Sequence, residues 1–274
     1  MIIRKTANLK GIISFAGHHI IWLTAWAIIV ASIYYFTSFI TFTIPWLPIS
    51  LIGTAVSFYV GFKNNQAYDR LWEARKIWGG IVNSSRAWST MTKNFITQSK
   101  ENPITKNELY EHKERIIFRH IAWIYRLRSQ LLIPTSWEHV SLRHSFGEFG
   151  KKRREKFGVG LFKDEITLVH LENYLPENEI PTLADFANTA TQIIDKQSED
   201  LAKLRALNLI DDFRQMEMQK VLGDFYNFQG AAERIKKFPL PRQFGNMSFV
   251  FICLFIFMLP FGMVSEFSKL GDWG

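Results

Sequence analysis

From Gly11 to Phe62 the chain carries no Asp, Glu, Lys or Arg, and the same is true from Gln243 to Ser265. A soluble domain must wet its surface, so it rarely withholds charge for so long. Crossing a bilayer takes about 20 apolar residues in a helix. A central Asp, Lys or Arg costs roughly 2.5–3.5 kcal/mol to insert, which explains why none appears. The mean hydropathy of −0.02 hides this pattern, because the middle of the chain is strongly charged. The reading is an all-α integral membrane protein of several spans.

The spans are expected near residues 20–40, 45–62 and 246–264. The Pro-bearing stretch Ile44-Pro45-Trp46-Leu47-Pro48 divides the first two, making a hairpin. Leu259-Pro260-Phe261-Gly262 is expected to interrupt the third near its end. A cleaved secretory signal is the competing reading of the N-terminus, where Arg4, Lys5 and Lys10 precede apolar residues. The uncharged stretch far outruns a signal's apolar core, and no small-x-small site ends it. Aromatics make up 15% of the chain, in keeping with rings at a half-wet membrane interface. The single Cys253 lies in an apolar run, so no intrachain disulfide framework exists.

Orientation follows from the basic flanks. Arg4, Lys5 and Lys10 lead into the first span, and Lys63, Arg70, Arg75 and Lys76 follow the second. Arg234, Lys236, Lys237 and Arg242 precede the third. The positive-inside rule puts the N-terminus and residues 63–242 in the cytoplasm. It leaves Glu266–Gly274 outside, and a returning span is expected to be missing from this sequence.

The middle region reads as helical. Asn64–Lys100 prolongs the second span. Glu108–Leu132 carries Ile116, Ile117, His120, Ile121, Ile124 and Leu127 at helical spacing and ends before Pro134. Pro181–Ile235 holds two helical stretches with a break near Asn208. Asp211-Asp212 suits a helix start, where negative charge meets the positive end of the dipole. Lys151-Lys152-Arg153-Arg154 reads as a solvated loop, with anionic lipid as the sharper alternative. No nucleic-acid module accompanies it.

No Walker loop, G-x-G-x-x-G or G-x-S-x-G occurs, so no catalytic residue, cofactor or enzymatic activity is expected. His139 and His144 near Glu138 lack the i,i+4 spacing of a helical metal pair, and no metal site is expected. The formal charge of +8 fits cytoplasmic loops at a membrane without invoking nucleic acid.

Thr54, Phe58 and Phe62 recur every four residues and so share one helix face. Gly53 and Gly61 permit close helix approach. Around an axis, such a face would stack rings of benzyl groups into a hydrophobic constriction that gates by dewetting. In a lone helix the same residues would face lipid or a neighbouring helix. The pattern alone leaves both readings open.

The run Gly61-Phe62-Lys63-Asn64-Asn65-Gln66-Ala67-Tyr68-Asp69-Arg70-Leu71-Trp72-Glu73-Ala74-Arg75-Lys76-Ile77-Trp78-Gly79 closely resembles the signature of the bacterial bestrophins. Gly230-Ala231-Ala232-Glu233-Arg234-Ile235-Lys236-Lys237-Phe238-Pro239-Leu240-Pro241 and Leu259-Pro260-Phe261-Gly262 add two further matches in the right order. The resemblance implies a homopentameric ion channel in the bacterial inner membrane, with inorganic ions as permeants and the N-terminus cytoplasmic. It implies a pore neck at Thr54, Phe58 and Phe62, with Asn64 and Asn65 facing the vestibule. It also implies a cytoplasmic constriction at Phe213, or at Ile210 if the register slips. Thr54 and Phe213 depart from the aliphatic residues usual there. No acidic run matches the calcium clasp of animal members, so calcium gating is not expected. Anion (chloride) conduction is the favoured selectivity, with sodium conduction the alternative within the family. A membrane scaffold or receptor without a pore is the alternative outside it.

Overall fold

The computed structural model describes residues 9–37, 44–98, 103–136, 148, 150–152, 171–184, 186–238 and 242–271. His139, His144, Arg153 and Arg154 lie outside them. The described elements are helices α1 (Leu9–Thr37), α2 (Trp46–Phe95), α3 (Lys106–Leu132), α4 (Ile180–Ala184), α5 (Thr189–Ala206), α6 (Asp212–Lys237) and α7 (Arg242–Gly271). They form two compact units, Met1–Tyr68 with Leu240–Gly274, and Asp69–Pro239. The 50-residue helix α2 contributes to both.

Among the described residues three helices are long and apolar enough to cross a membrane, with apolar segments at His19–Phe36, in α2, and at Met247–Lys269. In this first unit α7 is the shared partner. Trp26 of α1 stacks on Phe257 at 5.5 Å and meets Phe261 edge-on at 6.1 Å. Tyr59 of α2 stacks on Phe251 at 5.7 Å. A side-chain carbon at Gly53 would stand 2.8 Å from Phe255 Cε2, and one at Gly262 would overlap Ile49 Cδ1. These two glycines are therefore needed for the close approach of α2 and α7. The contacts 49–262, 53–255 and 59–251 run in opposite senses, so the two helices are antiparallel.

The expected interruption of the third span is not found. Helix α7 continues through Pro260. Proline there forfeits one backbone hydrogen bond, but neighbouring helices hold the turn in place, and membrane helices tolerate such a residue. Trp26 against Phe261 and Ile49 against Gly262 are those neighbours.

The second unit has a core of its own. Trp88, Trp123 and Phe225 are fully buried, with Trp123 and Phe225 centroids 4.7 Å apart. His120, expected on the apolar stripe of α3, is buried among these rings at 4.7 Å from Phe225. Helix starts are sealed locally. Thr105 and Glu108 form a capping box on α3, Asn188 caps α5, and Asp211 accepts from Arg214 N at 2.8 Å on α6. Asn208, at φ 55°, makes the turn between α5 and α6. Asn tolerates this left-handed backbone better than most side chains.

Candidate functional site

On α2, Ile49 and Gly53 point at α7. At about 100° per residue, Thr54, Phe58 and Phe62 lie roughly 160° away from them around the helix. No described residue of the protomer covers that side: Phe58 is 64% exposed, Phe62 62%, and Thr54 is exposed too. The Thr54 hydroxyl donates to Ser50 O at 2.9 Å and that of Ser57 to Gly53 O at 2.9 Å. Both polar groups are thus satisfied within the helix, as an apolar surrounding requires. Asn64 and Asn65 follow immediately and are exposed, with Asn65 on the Phe58 side.

The sequence also singled out the start of α6. Phe213 there is 82% exposed, whereas Ile210 is 3% exposed within the core. Of the two, Phe213 alone is open at the surface of the helical unit. Hydrogen bonds tie down the backbone beside it. Arg214 donates to Phe95 O at 3.1 Å and Thr97 Oγ1 at 3.2 Å, and Thr97 N donates to Leu209 O at 3.0 Å. Arg205 bonds Asp212 and, at 3.0 Å, Asn208 Oδ1. Lower on α2, Glu73 pairs with Lys76 at 2.6 Å and Arg75 stacks on Trp72 at 5.9 Å. The Lys76 hydrogen bond holds the Glu73 carboxyl below its usual range.

Sequence reasoning missed the buried charges that fix the helical unit. Arg119 on α3 donates Nε to Asp200 Oδ2 at 2.8 Å and forks onto Glu179 at 2.6 and 3.0 Å. Burial opposes the Arg119 charge, but the two carboxylates outweigh it and raise its pKa. Burial likewise pushes the Glu179 carboxyl up, and the Arg119 bonds more than reverse this. Trp123 donates to Gln229 Oε1 at 2.9 Å, tying α3 to α6. The partners of Arg119 stand 60 and 81 residues away, so no local pattern announces them.

The sequence matches the family described as bacterial/fungal bestrophin protein over residues 9–271. The chain belongs to that family. Among curated relatives, a voltage-dependent anion channel-forming protein of Ralstonia nicotianae is 26% identical over 230 residues, covering 84% of this chain and 62% of the relative. One of the same name from Salmonella typhi is 25% identical over 245 residues, covering 89% of this chain and 66% of its own length. The chain thus spans less than two thirds of the length of these relatives. A crystal structure of a bacterial bestrophin homolog from Klebsiella pneumoniae shares the fold, with a TM-score of 0.69 at 19% identity, covering 90% of this chain and 76% of that one. A second Klebsiella pneumoniae structure, like the first that of a point mutant, gives 0.71 at 19% identity over 92% and 79%. This bestrophin is therefore a membrane protein whose described elements are all helices.

Proposed function

We propose that this bestrophin is the subunit of a homopentameric channel that passes inorganic anions, chloride first, down their gradient. The observation that carries the reading is the bare α2 face at Thr54, Phe58 and Phe62, apolar yet uncovered by any described element of the unit. Copies arranged about an axis would turn that face inward as stacked rings. A phenyl ring has a negative face and a positive edge, so edge-on rings favour an anion over a cation. The names of the curated relatives agree. No covalent chemistry is involved. The rings act as an apolar constriction that water leaves readily and ions cross only when it is wetted.

Asn64 and Asn65 would receive the ion below the neck, and their amide N–H groups can replace part of an anion's hydration shell. Exposed Phe213 would form a second, cytoplasmic constriction, with buried Ile210 supporting it from behind. The basic flanks favour a cytoplasmic N-terminus and an inner-membrane location.

The deciding experiment is a planar bilayer holding the purified protein under a potassium chloride gradient. The reversal potential should lie toward the chloride equilibrium value. A potential toward the potassium value would replace anion by cation conduction. Phe58→Ala and Phe62→Ala should each raise the conductance, and an unchanged current would remove the neck assignment. Five-fold particle symmetry in detergent is expected, whereas a monomer without flux would favour a scaffold.

A further inference from the structure

Helices α3 and α5 of the helical unit pack antiparallel. Arg126, toward the end of α3, bonds Thr189 at the start of α5, whereas Gln197, further along α5, reaches back to Ile116 O. The first turns of α3 therefore meet the last turn of α5, and there a cleft of about 280 Å³ opens between them. Its floor is apolar. Ile116 and Leu204 lie beneath it at 1% and 2% exposure, and Ala206 and Leu207 line it from the end of α5. Ala206 offers only a methyl group where a longer side chain would fill the gap.

Charge borders this apolar space. Arg115 on α3 and Lys203 on α5 line opposite walls, and Asp200 shares the wall of Lys203. The Asp200 carboxylate is already engaged. Arg119 Nε donates to its Oδ2 at 2.8 Å, and Lys203 Nζ stands 3.7 Å from its Oδ1. That separation is beyond hydrogen-bond length, so Lys203 keeps its N–H donors for another acceptor. Arg119 in turn is shared with Glu179. Arg119 and Lys203 thus balance Asp200 and Glu179, and Arg115 is left over. Arg115 is exposed and pairs with no described residue. The His112 ring lines the wall one turn before it and can donate a further N–H.

We propose that this cleft binds a small monocarboxylate with an apolar body. The carboxylate accepts from Arg115 and Lys203, and both hydrogen bonds are charge-assisted. The apolar body covers Ile116, Leu204 and Leu207 and releases the water that stands over them. A volume of about 280 Å³ lies just below the usual range of small-molecule sites, about 300–1,000 Å³, which limits the size of the occupant. An inorganic anion would leave the apolar floor uncovered. A neutral ligand would leave the cations unused, and an organic cation would meet Arg115 and Lys203 as like charges. A dicarboxylate would exceed the single surplus charge. The site lies wholly within the helical unit, and its test does not depend on conduction.

The test titrates the full chain in a neutral detergent by calorimetry, with detergent alone as the blank for partition into micelles. Phenylacetate is the probe, phenylacetamide has its shape without the charge, and acetate has the charge without the body. Phenylacetate should bind about tenfold more tightly than either. R115Q should lower the phenylacetate affinity about tenfold, while R115K, which keeps the charge, should retain most of it. A206L, at an exposed position that lines the cleft, should block phenylacetate by filling the space while both cations remain. Equal binding of phenylacetate and phenylacetamide overturns the proposal, and so does equal binding of phenylacetate and acetate. Parental affinity in R115Q and A206L puts the ligand elsewhere and overturns it too. Heat no greater than the blank for phenylacetate does the same.

Discussion

The two units of this bestrophin hide opposite things. In the helical unit the buried set includes Trp88, Trp123, Phe225 and a three-part ion cluster, and its surface is charged. Among the described residues of the membrane unit hardly any large side chain is buried, Val30 and Ile49 being the exceptions, and its surface shows Phe, Ile and Leu. The helical unit owes its stability to internal burial. The membrane unit is stabilised by the apolar surroundings that cover its surface. Emptying a core position of the helical unit should accordingly cost more stability than truncating an exposed side chain of the membrane unit.

The largest effect is expected at Arg119. Removing one partner of a buried ion cluster leaves uncompensated charge and costs about 3–5 kcal/mol. Arg119→Met strands Asp200 and Glu179 in large part, since Arg119 is the principal cation of both. Chemical unfolding followed by tryptophan fluorescence should show that loss. A midpoint close to that of the parent would mean that the helical unit does not depend on its internal charges.

Acid comes next. His120 donates Nε2–H to Ser85 Oγ at 2.9 Å, because the Ser85 hydroxyl is committed to Ile81 O at 2.6 Å. Its Nδ1 is buried without a partner. Burial depresses its pKa from 6.5 to about 4. The folded state thus holds the neutral ring while the unfolded chain takes up a proton. Stability is intact above about pH 6.5 and falls as the pH drops toward about 4. The full loss is roughly 3 kcal/mol. His120→Phe should flatten the unfolding midpoint over that window, and a slope that survives the substitution would move the titration elsewhere.

In the membrane unit, Gly262→Ala tests the pairing of α2 and α7. The added methyl meets Ile49, which is fully buried. Overpacking of this kind costs about 1–3 kcal/mol. Thermal unfolding in detergent should register it, and Ile49→Val in the same chain should recover part of it. Failure of that rescue would show that the contact does not limit the approach of the helices.

How much of this was legible depends on the range of the interaction. The charge-free runs pointed to the described helices that are long and apolar enough to cross a membrane, because lipid acts on each residue separately. The capping box at Thr105 and Glu108 and the cap at Asp211 were within reach of sequence, because a cap spans three residues. The burial of His120 followed from its place on the α3 stripe. Pro260 misled, because its local preference was overruled by packing from two neighbouring helices. The Arg119 cluster was invisible, since it joins segments far apart in the chain. The bare face at Phe58 was legible as a spacing, but its exposure required knowing which side α7 occupies.

The smallest stability effect is expected at that face. Phe58→Ala removes a ring that the protomer leaves 64% exposed, whereas removal of a buried large aromatic such as Trp123 costs about 3–5 kcal/mol. If Phe58 borders a water-filled axis, its truncation changes no buried area, and the unfolding midpoint stays within about 0.5 kcal/mol of the parent. Conductance should rise in the same sample. If instead Phe58 is packed against a neighbouring copy, the midpoint falls with the lost contact and the current need not change. Measuring both quantities on one preparation therefore separates a lining residue from an interface residue, which the exposure of a single protomer does not.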